Sequence, residues 1–508
     1  MISKVKSSCL LGLQGYLIDV ESDVSLGLPA FDIVGLPDTA VKEARERVRA
    51  AIKNCSFEFP SRRYTVNLAP SGIKKEGPAF DLPIAVSILA ATGQIKGNPE
   101  GFVFLGELSL SGEVRPVPGV LPCVLSAKEQ GINKFIVPYD NREEAALVSD
   151  TEVYGVKTLF EAAEFIEGKA DIEKTVVDIE KIFSETKTYP FDFSEVHGQS
   201  NVKRALEIAA AGGHNCLIVG SPGSGKTMLA QRLPSILPDL TPEEALETTK
   251  IYSVAGLLKN GSALITQRPF RAPHHSTSTV GLVGGGTTPH PGELSLAHNG
   301  VLFLDELPEF HRDATEIMRQ PLEDGKVNIT RASGSLTFPC KTMLVAAMNP
   351  CKCGYYGDRS RKCRCTESAI HKYLSRVSGP LLDRIDIQTE AASVSYKDMK
   401  APAAESSAEI KKRVLGARMI QYERYKDEDF YCNAGLSGSK IEKYCTAEPE
   451  AEKLLAEAFD SMNLSARAHT RVLKVARTIA DLEGAEKISA LHIAEAIQYR
   501  SLDKKFWG

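Results

Sequence analysis

Eight residues constrain this chain more than any other feature: Gly220-Ser221-Pro222-Gly223-Ser224-Gly225-Lys226-Thr227 fits the pattern G-x-x-x-x-G-K-[ST]. The strand-like run Cys216-Leu217-Ile218-Val219 precedes it and the helix-like Met228-Leu229-Ala230 follows it. Context and pattern agree on a strand, a phosphate-binding loop and a helix, the opening unit of an α/β layer. The glycines let backbone N–H groups close around phosphate oxygens. Lys226 is placed to neutralise charge on the β- and γ-phosphates, and the Thr227 hydroxyl to ligate Mg²⁺. A chance glycine-rich turn would carry neither flanking element.

Hydrolysis requires a second, acidic element. Val301-Leu302-Phe303-Leu304-Asp305-Glu306 has the form of a buried parallel strand that delivers two carboxylates to the C-terminal edge of a sheet. Asp305 is expected to hold Mg²⁺ through water, and Glu306 to orient and polarise the attacking water. A surface Asp-Glu pair is the bland alternative, and the glycine-rich loop in the same segment argues against it. A third apolar strand, 343–348, ends in Asn349, a candidate sensor beside the γ-phosphate. Asn-Pro also starts turns, so only its order after the acidic strand makes Asn349 a candidate.

The length, 508 residues, implies several domains at about 150 residues each. Residues 1–170 alternate strand-like and helix-like patterns and read as α/β. Within them Asp38 is placed to cap a helix whose apolar positions Val41, Ala44, Val48, Ala51, Ile52 and Cys55 recur at helical spacing. Residues 171–189, acidic early and without a period, read as a linker. Residues 190–395 hold the phosphate loop and the acidic strand. Residues 396–508 read as helical, with Ser465 capping a helix that buries Ala468, Val472, Ala476 and Ile479. Ser489 caps a last helix expected to bury Ile493, Ala494 and Ile497.

Composition then removes several classes of function. Hydrophobic residues at 43% and charged residues at 25%, with no low-complexity tract, exclude extended disorder. The weakly polar run 82–93 is broken by Pro83 and is too short to cross a bilayer. The first residues lack the apolar core of a signal peptide, so the expected location is cytoplasmic, with no membrane partner. Sixty-one basic against 65 acidic residues exclude a protein that coats nucleic acid over its whole surface, while leaving room for a local basic channel. Eleven cysteines, an odd number, suit reduced thiols.

Several longer strings carry a family resemblance. They are Asp192-Phe193-Ser194-Glu195-Val196-His197-Gly198-Gln199, Ala210-Ala211-Gly212-Gly213-His214-Asn215, Pro273-His274-His275-Ser276, Gly292-Glu293-Leu294-Ser295-Leu296-Ala297-His298-Asn299-Gly300, and Ser378-Gly379-Pro380-Leu381-Leu382-Asp383-Arg384-Ile385-Asp386. On these the chain resembles the YifB/ComM family of magnesium-chelatase-like AAA+ ATPases over nearly its whole length. The resemblance implies a central AAA+ P-loop α/β domain at 190–395 and a C-terminal helical lid at 396–508. It implies ATP and Mg²⁺ as cofactors and a homo-oligomeric ring, a hexamer. Arg384 then looks like the arginine finger offered to the nucleotide of the neighbouring subunit, with Arg376 as its rival. Arg467 looks like a second sensor reaching from the lid. The alternative for Arg467 is a solvated face shared with Arg471 and Lys474. Residues 270–298 resemble a pore-facing insert, and 327–338 a hairpin turning at 331–335. The four histidines there, His274, His275, His290 and His298, lack tight metal spacing and read as loop histidines.

The N-terminal segment resembles the Lon protease catalytic domain, a ribosomal S5 domain 2-like α/β fold. The matching strings are Lys75-Glu76-Gly77-Pro78-Ala79 and Gly106-Glu107-Leu108-Ser109-Leu110-Ser111-Gly112-Glu113-Val114-Arg115-Pro116-Val117. Ala79 stands where that family has its serine nucleophile and Leu121 near its lysine base, so the dyad is missing. A scaffold or DNA-contacting surface is the better expectation, with Lys74 and Lys75 as candidate contacts.

Cys351-x-Cys353 and Cys363-x-Cys365, nine residues apart, supply four soft ligands in a short loop, and Zn²⁺ is the natural occupant. Four reduced thiols are the alternative, and C-x-C spacing bends two thiolates toward one ion. From Cys351 to Arg376 seven basic residues, Arg359 among them, face two acidic ones, with Tyr355 and Tyr356 between. A DNA-contacting knuckle is one reading and a solvated basic loop the other. The resemblance implies an ATP-driven DNA motor, a helicase of branch migration that acts on single-stranded or branched DNA during natural transformation. A chelatase-like or protein-remodelling ATPase is the alternative.

Overall fold

In the computed structural model, which describes residues 2–184, 188–258, 263–286, 289–331, 334–358, 361–393, 404–462 and 465–507, the chain divides into two compact units. One comprises Thr186–Thr241, Gln267–Ile329 and Pro339–Gly508; the other comprises Met1–Glu185, Pro242–Thr266 and Thr330–Phe338.

The unit that carries the phosphate loop is built on a five-stranded sheet. Its order is Phe270–Arg271, Val301–Leu304, Met343–Met348, Cys216–Gly220 and Ile387–Ala391, and every neighbouring pair is parallel. The strands at 216, 301 and 343 are apolar throughout and buried residue by residue, as a sheet covered on both faces requires. Because all strands run the same way, their C-terminal ends share one edge, and there the loop 220–227, Asp305 and Asn349 emerge.

One hydrophobic core joins this sheet to helix Ser200–Gly212 and to the C-terminal helices Ser407–Arg424, Pro449–Met462, Ala466–Leu482 and Ala490–Gln498. Ser465 accepts a hydrogen bond from the Ala468 N–H, and Ala468, Val472, Ala476 and Ile479 are buried as the spacing predicts. In the last helix Ser489 forms a capping box with His492 and Ile493 is buried, whereas Ala494 and Ile497 are only half-buried. Buried Asp481 ties this region together. Its carboxylate accepts from Arg424 at 2.6 and 2.9 Å, from Arg477 at 3.1 Å and from Asn433 at 2.8 Å.

The other unit centres on a seven-stranded mixed sheet in the order Ala30–Val34, Arg63–Ala69, Gln14–Ser25, Ile2–Leu11, Val103–Phe104, Lys134–Pro138, Glu152–Val156. Asp38 caps helix Thr39–Asn54, whose Val41, Ala44, Val48, Ala51 and Ile52 are buried in register with the expected period. Ala79 lies in the short turn Pro78–Phe80, and Leu121 is buried near the start of helix Val120–Glu129. Neither position supplies a hydroxyl or an amine. Lys75 corrects an expectation: it is fully buried and its ammonium donates to the Pro70 carbonyl, so it is not available to DNA. Lys74 is exposed and paired with Glu76 at 2.6 Å.

This unit is not contiguous in sequence. It takes in helix Pro242–Val254, which follows the phosphate-loop helix along the chain. The carbonyl of Ser253 accepts from the Gly119 N–H at 3.0 Å. The Ser253 hydroxyl donates to buried Glu144, which also accepts from the Leu121 N–H at 3.0 Å and from Asn141 at 2.9 Å. Burial lifts the Glu144 carboxyl above its usual value, and these donors only partly offset it. The segment 171–189 contains a short helix, Ile179–Ser184. Strands Lys326–Arg331 and Gly334–Pro339 form the expected hairpin, with turn residues Ala332 and Ser333 outside the described residues.

Candidate active site

Three strand ends converge on the phosphate loop. Gly223 and Gly225 have φ of +78° and +84°, the left-handed region that glycine adopts without penalty. Gly220 has no room for a side chain, since a Cβ there would lie 2.5 Å from the Ala391 carbonyl oxygen. Lys226 is buried and its ammonium donates to the carbonyls of Gly220 at 2.8 Å and Ser221 at 3.0 Å and to Asn349 Oδ1 at 3.1 Å. Burial holds its pKa below the usual lysine value, with Asp305 and Glu306 pulling the other way.

Thr227 Oγ1 donates to Asp305 Oδ2 at 2.6 Å, so a hydroxyl from the start of helix Lys226–Arg232 and a carboxylate from the end of strand Val301–Leu304 meet. A hydroxyl and a carboxylate are the hard oxygen donors that Mg²⁺ takes, Thr227 directly and Asp305 through water, so the residues present fit the ion. Glu306 follows with its N–H on Asp305 Oδ1 at 2.9 Å and a backbone φ of +53°. Its carboxylate lies 3.3 Å from His275 Nδ1.

The cations expected around the site are placed less uniformly. Arg384 is 12% exposed and donates to the carbonyls of Arg319 at 3.0 Å and Pro380 at 2.6 Å while pairing with Glu323 at 2.5 Å. Arg376, at 52% exposure, pairs with Glu309 at 2.7 Å. Arg467 is 68% exposed and reaches Asp383 at 3.3 Å. The solvated stripe considered for Arg467 does not exist as such. Arg471 is only 11% exposed, between Asp383 and Asp386, and Lys474 donates to the Ala434 carbonyl at 2.9 Å.

The four clustered cysteines come together. All four Sγ atoms lie within 4.8 Å of one another, with Cys351, Cys353 and Cys363 at 3.4, 3.5 and 3.7 Å. Tetrahedral Zn–S bonds of about 2.3 Å demand sulfur atoms about 3.8 Å apart, so the cluster fits the ion despite its C-x-C spacing. Burial raises the Cys353 thiol, but backbone donors at Arg364 and Tyr355 and the neighbouring thiols outweigh it and bring it down to about 6. Lys352, Arg361, Lys362, Arg364, Lys372 and Arg376 are exposed, and Arg359 lies outside the described residues. Tyr355 is already engaged, with the Arg361 guanidinium 4.6 Å from its ring centroid.

Sequence reasoning missed two contacts. His275 belongs to the insert and meets Glu306 only because the insert folds back. Gln199, in the string that begins at Asp192, donates to the Ser224 carbonyl at 3.0 Å and to that of Ala392 at 2.6 Å, tying the phosphate loop to the edge strand. The resemblance strings mostly wire such contacts. Buried His214 bridges Asp386 at 2.9 Å and Thr478 at 2.7 Å, and Glu293 grips Arg271 through two 2.7 Å hydrogen bonds.

A parallel sheet with the phosphate-loop strand between strand Met343–Met348 and an edge strand, continued by a helical C-terminal region, defines a protein of the AAA+ ATPase class, which implies ATP and Mg²⁺. Family models described as magnesium chelatase subunit ChlI match residues 192–399, its C-terminal part matches 404–500, and a further ChlI model matches 20–141. The chain is 44% identical over 503 residues to the protein YifB of Salmonella typhimurium, covering 98% of this chain and 97% of that one. It is 44% identical over 504 residues, with the same coverage, to the competence protein ComM of Haemophilus influenzae. The chain belongs to the YifB/ComM family of magnesium-chelatase-like AAA+ proteins. Its N-terminal region is also similar to Lon protease 2 of Bacillus subtilis, at 35% identity over 98 residues, 19% of this chain and 18% of that protein. Among the described residues no helix is long and apolar enough to cross a membrane.

Proposed function

We propose that this protein is a cytoplasmic ATP-driven DNA motor, a homo-hexameric ring that moves single-stranded or branched DNA during recombination of incoming DNA in natural transformation. The observation that carries the enzymatic half is the meeting of Thr227 and Asp305 at 2.6 Å, with Glu306 next in sequence. The loop 220–227 wraps the phosphates of ATP, and Lys226, shared with Asn349, neutralises their charge. Thr227 and Asp305 would hold Mg²⁺, which supplies charge neutralisation across the β- and γ-phosphates. Glu306 orients and polarises the attacking water, Arg384 acts on the nucleotide of the adjacent subunit, and Arg467 acts from the lid.

The DNA half rests on the exposed cations of the knuckle and on similarity to a relative named for competence. The same knuckle holds one Zn²⁺ through Cys351, Cys353, Cys363 and Cys365. Binding to single-stranded and branched DNA is expected to weaken steeply with salt. Reversing the charges of Arg361, Lys362 and Arg364 together should lower the log–log salt slope by about 2, at roughly 0.7 per single-strand phosphate contact. A strand-displacement assay with ATP, and Lys226→Ala as the inactive control, tests movement. An assembled, hydrolysing ring that ignores DNA at low salt sinks this reading. It would favour a chelatase-like or protein-remodelling ATPase, which the ChlI matches along the chain also support.

A further inference from the structure

Strand Met343–Met348 ends at the nucleotide site and leads straight into the thiol knuckle. Asn349 takes a hydrogen bond from Lys226, and Cys351 is the first thiol of the cluster. Gly354 is buried inside the knuckle with φ of +84°, in a turn closed by its N–H on the Cys351 carbonyl at 2.9 Å. It lies directly against Pro222 of the phosphate loop. A Cβ at position 354 would stand 2.4 Å from Pro222 Cδ and 2.6 Å from Cγ, far inside van der Waals contact, and the proline ring has no rotamer into which to retreat.

The knuckle is held from behind as well. Tyr356 packs on Phe506 at 6.2 Å between centroids. A short loop with this little regular structure gains rigidity from a cross-link, which four thiolates on one ion would supply.

We propose that the metal-held knuckle is the rigid backstop of the phosphate-binding loop: Gly354 positions Pro222, and through it the nucleotide, so release of the metal weakens nucleotide binding. This rests on the zinc and ATP readings above. Gly354 acts as a positioning residue, touching the loop and not the substrate. The knuckle thus has a task within its own chain that is independent of whether its outer face meets DNA.

The test uses the full chain and reads zinc content and the affinity of a fluorescent ATP analogue separately. A chelator selective for zinc over magnesium, or the double change Cys363→Ser and Cys365→Ser, should release the ion. Release should weaken nucleotide binding by about tenfold, as expected for a displaced binding group, and zinc added back to the chelated protein should restore it. Gly354→Ala should keep its zinc and its fold by circular dichroism yet raise the KM for ATP more than it lowers kcat. Gly357→Ala is the control for backbone strain: its φ is +78°, but its Cβ would meet only Lys505, at an ordinary 3.6 Å. Pro222→Ala placed on Gly354→Ala should recover affinity by removing the ring. Zinc found and released with nucleotide affinity unchanged, or equal losses in Gly354→Ala and Gly357→Ala, would overturn the backstop alone. Metal-free protein that binds ATP normally overturns the zinc reading and the backstop together. Zinc-replete protein that binds no ATP overturns the nucleotide reading and the backstop with it.

Discussion

At Glu306 a left-handed backbone, the neighbouring Asp305 carboxylate and a histidine contact fall on one side chain. A non-glycine residue at φ of +53° is costly to hold, and such strain persists where the surroundings over-determine it. Here the 2.9 Å hydrogen bond from its own N–H to Asp305 and the 3.3 Å contact with His275 fix it from two sides. Glu306→Gln keeps the shape and loses the base, so it should bind ATP without turnover and trap the assembled ring. Turnover at the parental rate would remove Glu306 from the role. Loss of the His275 contact would leave the Glu306 carboxylate open to a water, so His275→Ala should raise basal kcat several-fold with the KM for ATP unchanged, since among the described residues the charged partner of His275 is Glu306 and not the phosphate loop. An unaltered kcat would mean that the contact is incidental. The loop, Asp305 and Asn349 were legible because each sits at the end of a locally apolar strand. His275 was not, since nothing in Pro273-His274-His275-Ser276 says where the insert turns back.

Helix caps and apolar periods are local, which is why Asp38 and Ser465 could be read before the fold was known. Helix Pro242–Val254 could not, because its anchor Glu144 is 109 residues away from Ser253 and lies in a different stretch of the chain. The same non-locality hides Asp481, which looks like an ordinary charge near the end of a helix. In place it is fully buried and neutralises Arg424 and Arg477, the latter itself 1% exposed. Removing one member of such a set strands the others in a poorly solvated interior, so Asp481→Ala should cost about 3–5 kcal/mol. Asp481→Asn, which keeps an acceptor, should cost less. Thermal unfolding followed by tryptophan fluorescence ranks the two, Trp507 being the single tryptophan and lying in the same unit. Equal midpoints for Asp481→Ala and the parent would show that water reaches both guanidinium groups.

At the scale of the proposed ring, the decisive side chain is Arg384. Within one chain it is turned inward, paired with Glu323 and bonded to two carbonyls, and only 12% of it is exposed. A finger acting on its own nucleotide would be expected beside Lys226 and Asn349, whereas Arg384 meets Glu323 and the Arg319 and Pro380 carbonyls. A finger acting in trans must exchange Glu323 for the phosphates of a neighbour, at a gain of about 10³-fold or more in kcat. The two arrangements differ in what happens when inactive subunits are mixed. Arg384→Ala chains keep an intact Glu306, and Glu306→Gln chains keep an intact finger, so a heterologous ring places one beside the other. In a random equal mixture about a quarter of the interfaces combine both intact halves, and ATPase activity should return toward that fraction of the parental rate. Catalysis in cis gives no recovery at any ratio. If Arg384→Ala is itself active, the more exposed Arg376, already reaching Glu309 close to the acidic strand end, takes the role instead, and the same mixing experiment with Arg376→Ala decides it.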